Sequence, residues 1–475
     1  MRSALLLVAA GTLVASHPGT DPCLRLLRAG TQIQGDVRVC PGRYRIADPD
    51  GRGVIVIAAS FTRLDLSGVT LESGDSTASR FVGVGIASRN VDQVEITGGT
   101  VRGYRYGVRI EGGRGHRIAR MDLSGSRRQA LRSTPESFDE ADWLDIFHPD
   151  TFELYGGGLY LKWTDGVTVT DIVARDAQNG IGLFASRGAY LARNDVSNNS
   201  GWGIHLWQSS ANVIVHNQAH HNVRCESPAY SRGCDSAGIL LRQSSDSNLI
   251  ADNDLSYSGD GFFLSGHRPL VRPSIGNIVV RNNAAGAYHN AFESTFSAWN
   301  TFLDNRADSA AYGFWLGYST GNVVRGNIIL DTRQSAIAIE HGSDNEIAGN
   351  VMIGGRTGVQ LFAPHPGDDA SRGYRIQDNT FARLDRAIVL QHTTQASIRG
   401  NLFDGVGVGI EADGAAADAQ VVGNIFLRAD SLYIRAPMLS AGDNYWSTPD
   451  SATTRQRIEG AVSLTPWQPA SKVGY

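Results

Sequence analysis

Four side chains in the middle of the chain have the types that acid–base chemistry requires. Asp260 and Glu293 are carboxylates on neighbouring copies of one sequence motif, and Glu340 lies two copies beyond Glu293. His205, on an earlier copy, could exchange a proton near neutral pH. An acid and a base flanking one bond are what glycoside hydrolysis uses. We therefore predict Asp260 and Glu293 as a catalytic carboxylate pair, with Glu340 and His205 as further catalytic residues.

The expected spacing of the pair is compatible with this chemistry. With a strand rise near 3.3 Å per residue and about 4.8 Å between neighbouring strands, the two backbones should lie roughly 11 Å apart. Side chains can shorten that to several ångström, near the roughly 6.5–9.5 Å of an inverting pair. The aromatic neighbours of Glu293 should raise its pKa and favour the role of general acid.

Aromatic and cationic side chains accompany the acids on the same motif copies. Aromatic faces pack against sugar rings, and Arg or Lys binds carboxylate groups. Several aromatics on one solvent face are costly without a partner, so either a ligand or a covering insertion should lie over them. We predict substrate contacts for Lys162, Trp202, Trp207, Arg242, Phe263, His267, Tyr312 and Trp315.

A second chemistry could use the same surface. Lyases and C5-epimerases of uronic polymers need a base at C5 and positive charge near the carboxylate. His205, Lys162 and Arg242 could fill these roles, with Tyr160 or Tyr312 as the acid. The hydrolase is the favoured prediction, and the lyase or epimerase is the alternative.

The elements that position these residues follow from a repeat. From about Gly166 onward, units of the form Asn-apolar-apolar-x-x-Asn return, as in Asn212-Val-Ile-Val-His-Asn217 and Asn277-Ile-Val-Val-Arg-Asn282. Their period near 22 to 23 residues, with longer intervals at insertions, fits a parallel β-helix. We expect the closing Asn of each unit to adopt left-handed backbone angles, and the stacked Asn side chains to form hydrogen bonds along the axis.

Each unit also carries a strand of the form Gly-apolar-x-apolar-x, as in Gly203-Ile-His-Leu-Trp207. Alternation sends the apolar members inward and the x positions outward, so the x positions form columns on the surface. One predicted column runs through His205, Phe263, Glu293 and Trp315. These columns predict a groove between about Tyr160 and Glu340.

Both ends of the repeat also have recognisable features. Cys23 to Gly30 predicts an amphipathic capping helix, and Val37-Arg-Val-Cys-Pro-Gly-Arg-Tyr44 a first rung. With Asn444-Tyr-Trp446 and the Asn-bounded units, they resemble the pectin-lyase-like and NosD-type β-helix family. The resemblance implies an all-β, right-handed parallel β-helix (solenoid) with an N-terminal capping helix and loop insertions. That family contains lyases, glycoside hydrolases, epimerases and binding proteins.

Only the resemblance to NosD-type proteins suggests copper binding. This resemblance implies a third possibility, a non-catalytic glycan- or copper-binding periplasmic β-helix. His216, His220 and His221 straddle an Asn turn that should scatter them, so surface histidines are favoured over a metal site. The Asp-Pro-His-Asp motif of alginate epimerases and the paired-aspartate motifs of polygalacturonases are absent from the sequence. We predict no metal and no other cofactor.

Composition bounds the remaining possibilities. Hydrophobic residues make up 41% and charged residues 19% of 475 residues, enough for a large core. A net charge of −4 gives no reason to expect nucleic acid.

Residues 1–16 resemble a secretory signal peptide, so we expect a secreted or periplasmic monomer that binds a polysaccharide or oligosaccharide and no membrane. The four cysteines should pair as Cys23–Cys40 and Cys225–Cys234.

One β-helix domain should fill residues 17–475. Its expected parts are an N-terminal cap at about 20–45, a groove-rim insertion at about 126–156 and a C-terminal tail at about 444–475. A short helix around Phe138–Ile146 should lie over the groove rim. The loops at Asn222–Ser236 and Arg268–Ile275 should wall the rung of Asp260, and Ala363–Arg372 is a further insertion.

Overall fold

A computed structural model describes residues 23–225, 233–266, 273–364, 371–448 and 450–467 of the chain. The protein is a right-handed parallel β-helix, as the repeat predicts, and nearly all its strands belong to one parallel 35-stranded sheet that winds along the axis. Each rung contributes strands to three faces. We call these the groove face, the ladder face and the third face.

The strands of the groove face carry the Gly-apolar-x-apolar-x motif over most of its length. They are Thr31–Ile33, Ile55–Ile57, Val84–Arg89, Tyr106–Glu111, Gly157–Lys162, Ile181–Phe184, Trp202–Trp207, Ala237–Arg242, Asp260–Ser265, Asn290–Thr295, Tyr312–Gly317, Arg386–Gln391 and Ile458–Ser463. Four longer strands continue without a break from the third face onto the groove face. These are Ile328–Glu340, Val351–Phe362, Leu402–Ala412 and Ile425–Ser440.

The ladder face consists of short strands, most of them within the Asn-bounded units. They are Cys23–Leu24, Asp36–Val39, Arg63–Asp65, Glu95–Thr97, Arg117–Ala119, Thr168–Thr170, Tyr190–Ala192, Val213–Val215, Leu249–Ala251, Ile278–Val280, Thr301–Leu303, Val323–Arg325, Glu346–Ala348, Arg375–Gln377, Ser397–Arg399 and Gln420–Val422. The remaining strands lie on the third face or in turns. They are Gly42–Arg45, Val69–Glu72, Thr100–Arg102, Ser371–Arg372, Thr380–Ala382, Thr393–Thr394 and Tyr445–Trp446.

Two asparagine ladders hold successive rungs together. In one of them Asn277 Oδ1 accepts the backbone N–H and the Nδ2 of Asn248, at 2.9 and 3.0 Å, while Asn277 Nδ2 donates to Asn300 Oδ1 at 2.9 Å. The predicted stacking of asparagines is confirmed. The left-handed angle was assigned to the wrong residue, however, because it falls on the residue before each Asn, for example Arg281 (φ 53°) or Gly326 (φ 67°). The asparagine itself is buried, with its amide turned inward.

The core is a continuous apolar column along the axis. Phe292 and Phe314 stack at 4.9 Å, and Phe381, Phe403 and Phe426 continue as a second stack with 5.2 and 4.5 Å between ring centroids. Such stacks arise because each inward position is repeated one rung later at the same register. The core therefore extends the length of the helix.

Helices are few, and two of the sequence predictions about them are wrong. Cys23–Leu24 is a strand paired with Arg38 and Val39, not part of a capping helix, because it completes the first rung. In place of the helix at Phe138–Ile146 there is one 3₁₀ turn, Glu140–Asp142, and an α-helix follows at Pro149–Tyr155, where proline suits the first turn. The other helical segments are Ala78–Arg80, Gly233–Asp235, Gly414–Asp418 and Ser451–Arg455.

Both predicted disulfides are present, Cys23–Cys40 in the first rungs and Cys225–Cys234 in the loop before Ala237. Among the described residues no helix has both the length and the apolar character needed to cross a bilayer. The predicted signal peptide lies outside the described residues.

Candidate active site

The predicted columns on the groove face match the strand register pair by pair. Phe263 is paired with Glu293, and Glu293 with Trp315. Glu340 is paired with Gly317 on one side and Phe362 on the other. The repeat therefore places these side chains on the same surface in the order that was predicted.

The groove is not open over its whole predicted length. Residues 126–156, which we call the rim insertion, lie across the rungs before Glu293. Leu144, Ile146 and Tyr155 of the rim insertion pack in one apolar cluster with Trp202 and Phe263. The covering insertion that was the alternative to a bound ligand is thus what the structure shows on these rungs.

This cover corrects the open-groove prediction for five residues. Each of them is at most 4% exposed: His205, Trp202, Trp207, Arg242 and Phe263. A side chain with so little exposed surface cannot contact a sugar in the groove, so their predicted catalytic or substrate-binding roles are not retained. The sequence could not show where the rim insertion would fold back, because it lies outside the repeat.

Arg242 anchors the rim insertion from below. Its Nε donates to the carbonyl of Ile146 at 2.7 Å, and its Nη1 donates to Ser265 Oγ and to the carbonyl of Gly266 at 2.5 and 2.7 Å. Burial lowers the pKa of this guanidinium to about 10. Burial also lowers the pKa of His205 well below its usual range, and the charge of Arg242 acts in the same direction.

Lys162 is likewise held by the rim insertion. It forms an ion pair with Glu153, and its Nζ lies 4.4 Å from the ring centroid of Trp163. Tyr160, the alternative acid, is buried and 3.4 Å from a Glu153 oxygen through its hydroxyl. The predicted roles of Lys162 and Tyr160 on an open groove are therefore not retained either. His267 lies outside the described residues.

The groove opens at the rung of Glu293. Glu293, Tyr312 and Trp315 are half-buried, and the side chain of Glu340 is 24% exposed. The rings of Tyr312 and Trp315 meet edge to face at 4.9 Å, and Trp315 meets Phe362 at 5.9 Å. These residues form an accessible surface of acids and aromatic rings.

At this opening, an acid cluster forms from Asp235, Asp260 and Glu293 with His289. Oxygen atoms of Asp260 and Glu293 and a ring nitrogen of His289 all lie within 4.8 Å of one another. Asp260 Oδ1 accepts the backbone N–H of Asn290 at 2.8 Å and lies 3.5 Å from His289 Nδ1. Asp260 is only 1% exposed, so it can act on a ligand only through its neighbours.

Asp235 connects the cluster to the rim insertion. Its Oδ2 accepts the indole N–H of Trp143 at 2.6 Å, and its backbone carbonyl accepts that of Trp202 at 2.7 Å. Burial, with the charge of Asp260 acting in the same direction, raises the pKa of Asp235 to about 7 against the hydrogen bond from Trp143. Near neutral pH this carboxyl therefore gains or loses a proton easily.

The pKa of Glu293 is also raised. Burial raises its pKa well above the usual range, and the negative charges of Asp260 and Asp235 raise it further. The hydrogen bond from Asn290 Nδ2 and the charge of Arg242 oppose this rise. Glu293 is thus a carboxylic acid that stays protonated at a pH where ordinary glutamates are ionised.

The raised pKa of Asp235 makes stability depend on pH. The folded value, about 7, exceeds the ordinary value of 3.8, so its contribution to stability is complete below the lower value and is lost as pH rises through about 7. We expect Asp235→Asn, which keeps an acceptor for Trp143, to raise Tm at pH 8 relative to the unmodified protein and to leave Tm at pH 4 nearly unchanged. Thermal denaturation at both pH values measures this, and an equal shift at both would contradict it.

The polar atoms of the cluster already form hydrogen bonds with protein groups. The donor amide of Asn290 points at Glu293 and lies 3.1 Å from His289 Nδ1, while Asp260 already accepts a backbone N–H. A cation in the cluster would have to compete with these hydrogen bonds for Asp260 Oδ1 and Glu293 Oε2. The cluster offers one imidazole and two carboxylates but no thiolate or thioether, the ligands that select copper(I), and all four cysteines are in disulfides.

The remaining histidine candidates do not gather into a site. His220 and His221 have their Nδ1 atoms 2.8 Å apart, and the ring of His221 lies 5.1 Å from that of Tyr257. In the described parts of the chain, the one group of three or more candidate ligands is Asp260, His289 and Glu293.

Comparison with known proteins agrees with the fold. The model of the periplasmic copper-binding protein family NosD matches residues 270–462, and the right-handed beta helix region model matches residues 157–321. These matches support the predicted NosD-type and pectin-lyase-like resemblance. No curated protein sequence matches the chain.

Three solved structures with a similar fold are an epimerase module, a DFA-IIIase and a surface adhesin. The mannuronan C-5 epimerase AlgE6 A-module of Azotobacter vinelandii is 12% identical, with a TM-score of 0.45, covering 83% of this chain and 90% of its own. The DFA-IIIase of Arthrobacter chlorophenolicus A6 is 10% identical, with a TM-score of 0.45, covering 66% and 83%. The surface adhesin PfbA of Streptococcus pneumoniae is 11% identical, with a TM-score of 0.38, covering 85% and 83%.

Proposed function

We propose that the chain is a carbohydrate-active enzyme that hydrolyses glycosidic bonds at the opening of the groove. The observation that carries the proposal is the position of Glu293, a half-buried acid beside the half-buried aromatic ring of Trp315 and next to two further carboxyls. Two disulfides and the match to a periplasmic family support an extracellular or periplasmic location.

Glu293 is the proposed general acid. Its raised pKa keeps a proton available for the oxygen of the leaving sugar. Asp260 and Asp235 are positioning residues, because their charges favour the protonated form of Glu293. His289, 3.5 Å from Asp260 through Nδ1, holds the buried carboxylate in place.

Glu340 is the proposed base that takes a proton from the attacking water. It lies two rungs and two residues from Glu293, which corresponds to roughly 12 Å between the Cα atoms. Side chains of this length can bring the carboxyl groups to the roughly 6.5–9.5 Å of an inverting pair. Asp260, the partner of Glu293 in the pair predicted from the sequence, is too close to Glu293 and too deeply buried for a sugar and a water to fit between them.

The charge of Asp235 should be visible in the pH dependence of turnover. Removing a negative charge near Glu293 lowers its pKa, so in Asp235→Asn the loss of kcat/KM at high pH should begin at a lower pH. The pH–rate profiles of both proteins measure this shift. An unchanged high-pH limb with a lower kcat would show that Asp235 acts only through the fold.

One assay tests the proposed function. The purified protein is incubated with a panel of neutral and uronic polysaccharides, and reducing ends are followed together with the absorbance of unsaturated uronates. New reducing ends without unsaturation support hydrolysis, and unsaturation would show a lyase instead. Binding without turnover would exclude both enzymes and leave a glycan-binding β-helix. A parallel sample with a chelator is expected to keep full activity.

A further inference from the structure

The rim insertion closes the groove on one side of Glu293 and leaves it open on the other. Before Glu293, Phe263 is 4% exposed and lies under Leu144 and Ile146. After Glu293, Trp315, Gln360 and Phe362 are half-buried and Gln391 is exposed. We propose that the groove accepts only the end of a glycan chain, so that the enzyme removes short units from that end. This inference rests on the proposed hydrolase.

On the closed side, hydrogen bonds hold the rim insertion in place over the groove strands. Trp143 is hydrogen-bonded to Asp235 at 2.6 Å, and the carbonyl of Ile146 accepts from Arg242 at 2.7 Å. The backbone N–H of Leu144 also donates to the carbonyl of Cys234, within the loop closed by the Cys225–Cys234 disulfide. A glycan crossing the rungs of Phe263 and Leu240 would have to displace these contacts together with the apolar packing beneath them.

The open side has the length of several sugars. The column after Glu293 runs through Trp315, Ala338, Gln360, Val389 and Glu411, each paired with the next in the strand register. Ala338 and Val389 are buried, so the accessible side chains of this column are those of Trp315, Gln360 and Glu411. At about 4.8 Å per rung, five steps span roughly 24 Å. This distance ends at a cavity of about 380 Å³, whose lining includes Gln391, Glu411 and Arg435. Among the described residues, a glycan whose end lies at Glu293 therefore meets accessible side chains in this direction and the rim insertion in the other.

The first position along the open side is suited to a sugar ring. Trp315 presents a half-buried indole in contact with Tyr312 and Phe362. Aromatic faces of this kind bind the apolar faces of sugars. Trp315→Ala should therefore raise KM by about tenfold, the loss of one aromatic contact. Trp299→Ala, an exposed indole outside the groove strands, is the matched control.

The test is the product pattern of the unmodified protein on a polysaccharide that it cleaves. Chain-end action releases one short product from the first time point, while the size of the remaining polymer hardly changes. A mixture of intermediate lengths at early times would overturn the inference and leave the hydrolase in place. The absence of cleavage on the whole panel would instead remove the proposed function, and the inference with it.

Binding gives a second measurement. With the Glu293→Gln protein, affinity for oligosaccharides of the cleaved glycan should rise with length and level off at about five or six units, the length of the open floor. A polymer whose two ends are both blocked should bind at least tenfold more weakly than the same polymer with free ends. Equal binding of the blocked and free polymers would overturn the inference.

Discussion

Glu293→Gln is expected to lower kcat/KM for the cleaved glycan by roughly 10³-fold, within the range that general-acid catalysis contributes. Glutamine retains the shape and the hydrogen-bonding atoms but has no proton of suitable acidity to donate. The fold should be retained, because the substitution removes a buried group whose ionisation is unfavourable. Tm should therefore be unchanged or higher, most clearly above neutral pH.

The matched control is Glu346→Gln. Glu346 lies on the ladder face, in ion pairs with Arg325 and Arg375, and takes no part in the groove. Its substitution should leave kcat/KM within twofold. If the Glu293→Gln protein keeps more than a tenth of the original kcat/KM, Glu293 is not the acid and the centre of the site lies elsewhere.

Asn277→Ala is expected to lower the free energy of unfolding by roughly 4 kcal/mol. Asn277 accepts from two groups of Asn248 and donates to Asn300 and to the carbonyl of Ser245. Alanine removes the partner of the buried backbone N–H of Asn248 and of the Ser245 carbonyl, and each such loss costs about 1–3 kcal/mol. The Nδ2 of Asn248 keeps its bond to the Ser209 carbonyl, and Asn300 Oδ1 keeps the backbone N–H of residue 277. Denaturant unfolding followed by circular dichroism measures the loss.

Asn283→Ala separates this effect from the general cost of replacing an asparagine. Asn283 is half-buried, donates to Asp254 Oδ1 at 3.3 Å and accepts from the backbone of Ala285 at 3.3 Å. Its loss should cost about 1 kcal/mol at most. Equal destabilisation by the two substitutions would show that the ladder contributes no more than an ordinary surface turn.

The repeat made the fold and the order of the groove residues predictable. Spacing of Asn and Gly positions was enough to place Glu293 between Phe263 and Trp315, because every rung repeats the same register. Two of the four members of the acid cluster could be predicted in the same way. Asp260 and Glu293 are both outward positions of recognisable strands.

The other members of the cluster could not be found from the repeat. His289 lies one residue before the strand Asn290–Thr295, where an outward direction is not defined by alternation. Asp235 and Trp143 belong to insertions, so no period fixes where they lie, and the same is true of the cover over Trp202 and Arg242. The sequence therefore predicted an open ladder on rungs that the rim insertion buries.

The asparagine ladders tolerate large differences in the length of the loops around the site. In one ladder the step from Asn212 to Asn248 takes 36 residues and the step from Asn248 to Asn277 takes 29. The next three steps, to Asn300, Asn322 and Asn345, take 23, 22 and 23 residues, yet the hydrogen bonds between the asparagines are the same. The extra residues form a loop at a turn, and the chain after the loop pairs with the previous rung in the same register. Loops around the groove can therefore be lengthened, shortened or exchanged without moving Glu293 relative to Trp315, so substrate preference in such a scaffold can diverge while the acid stays where it is.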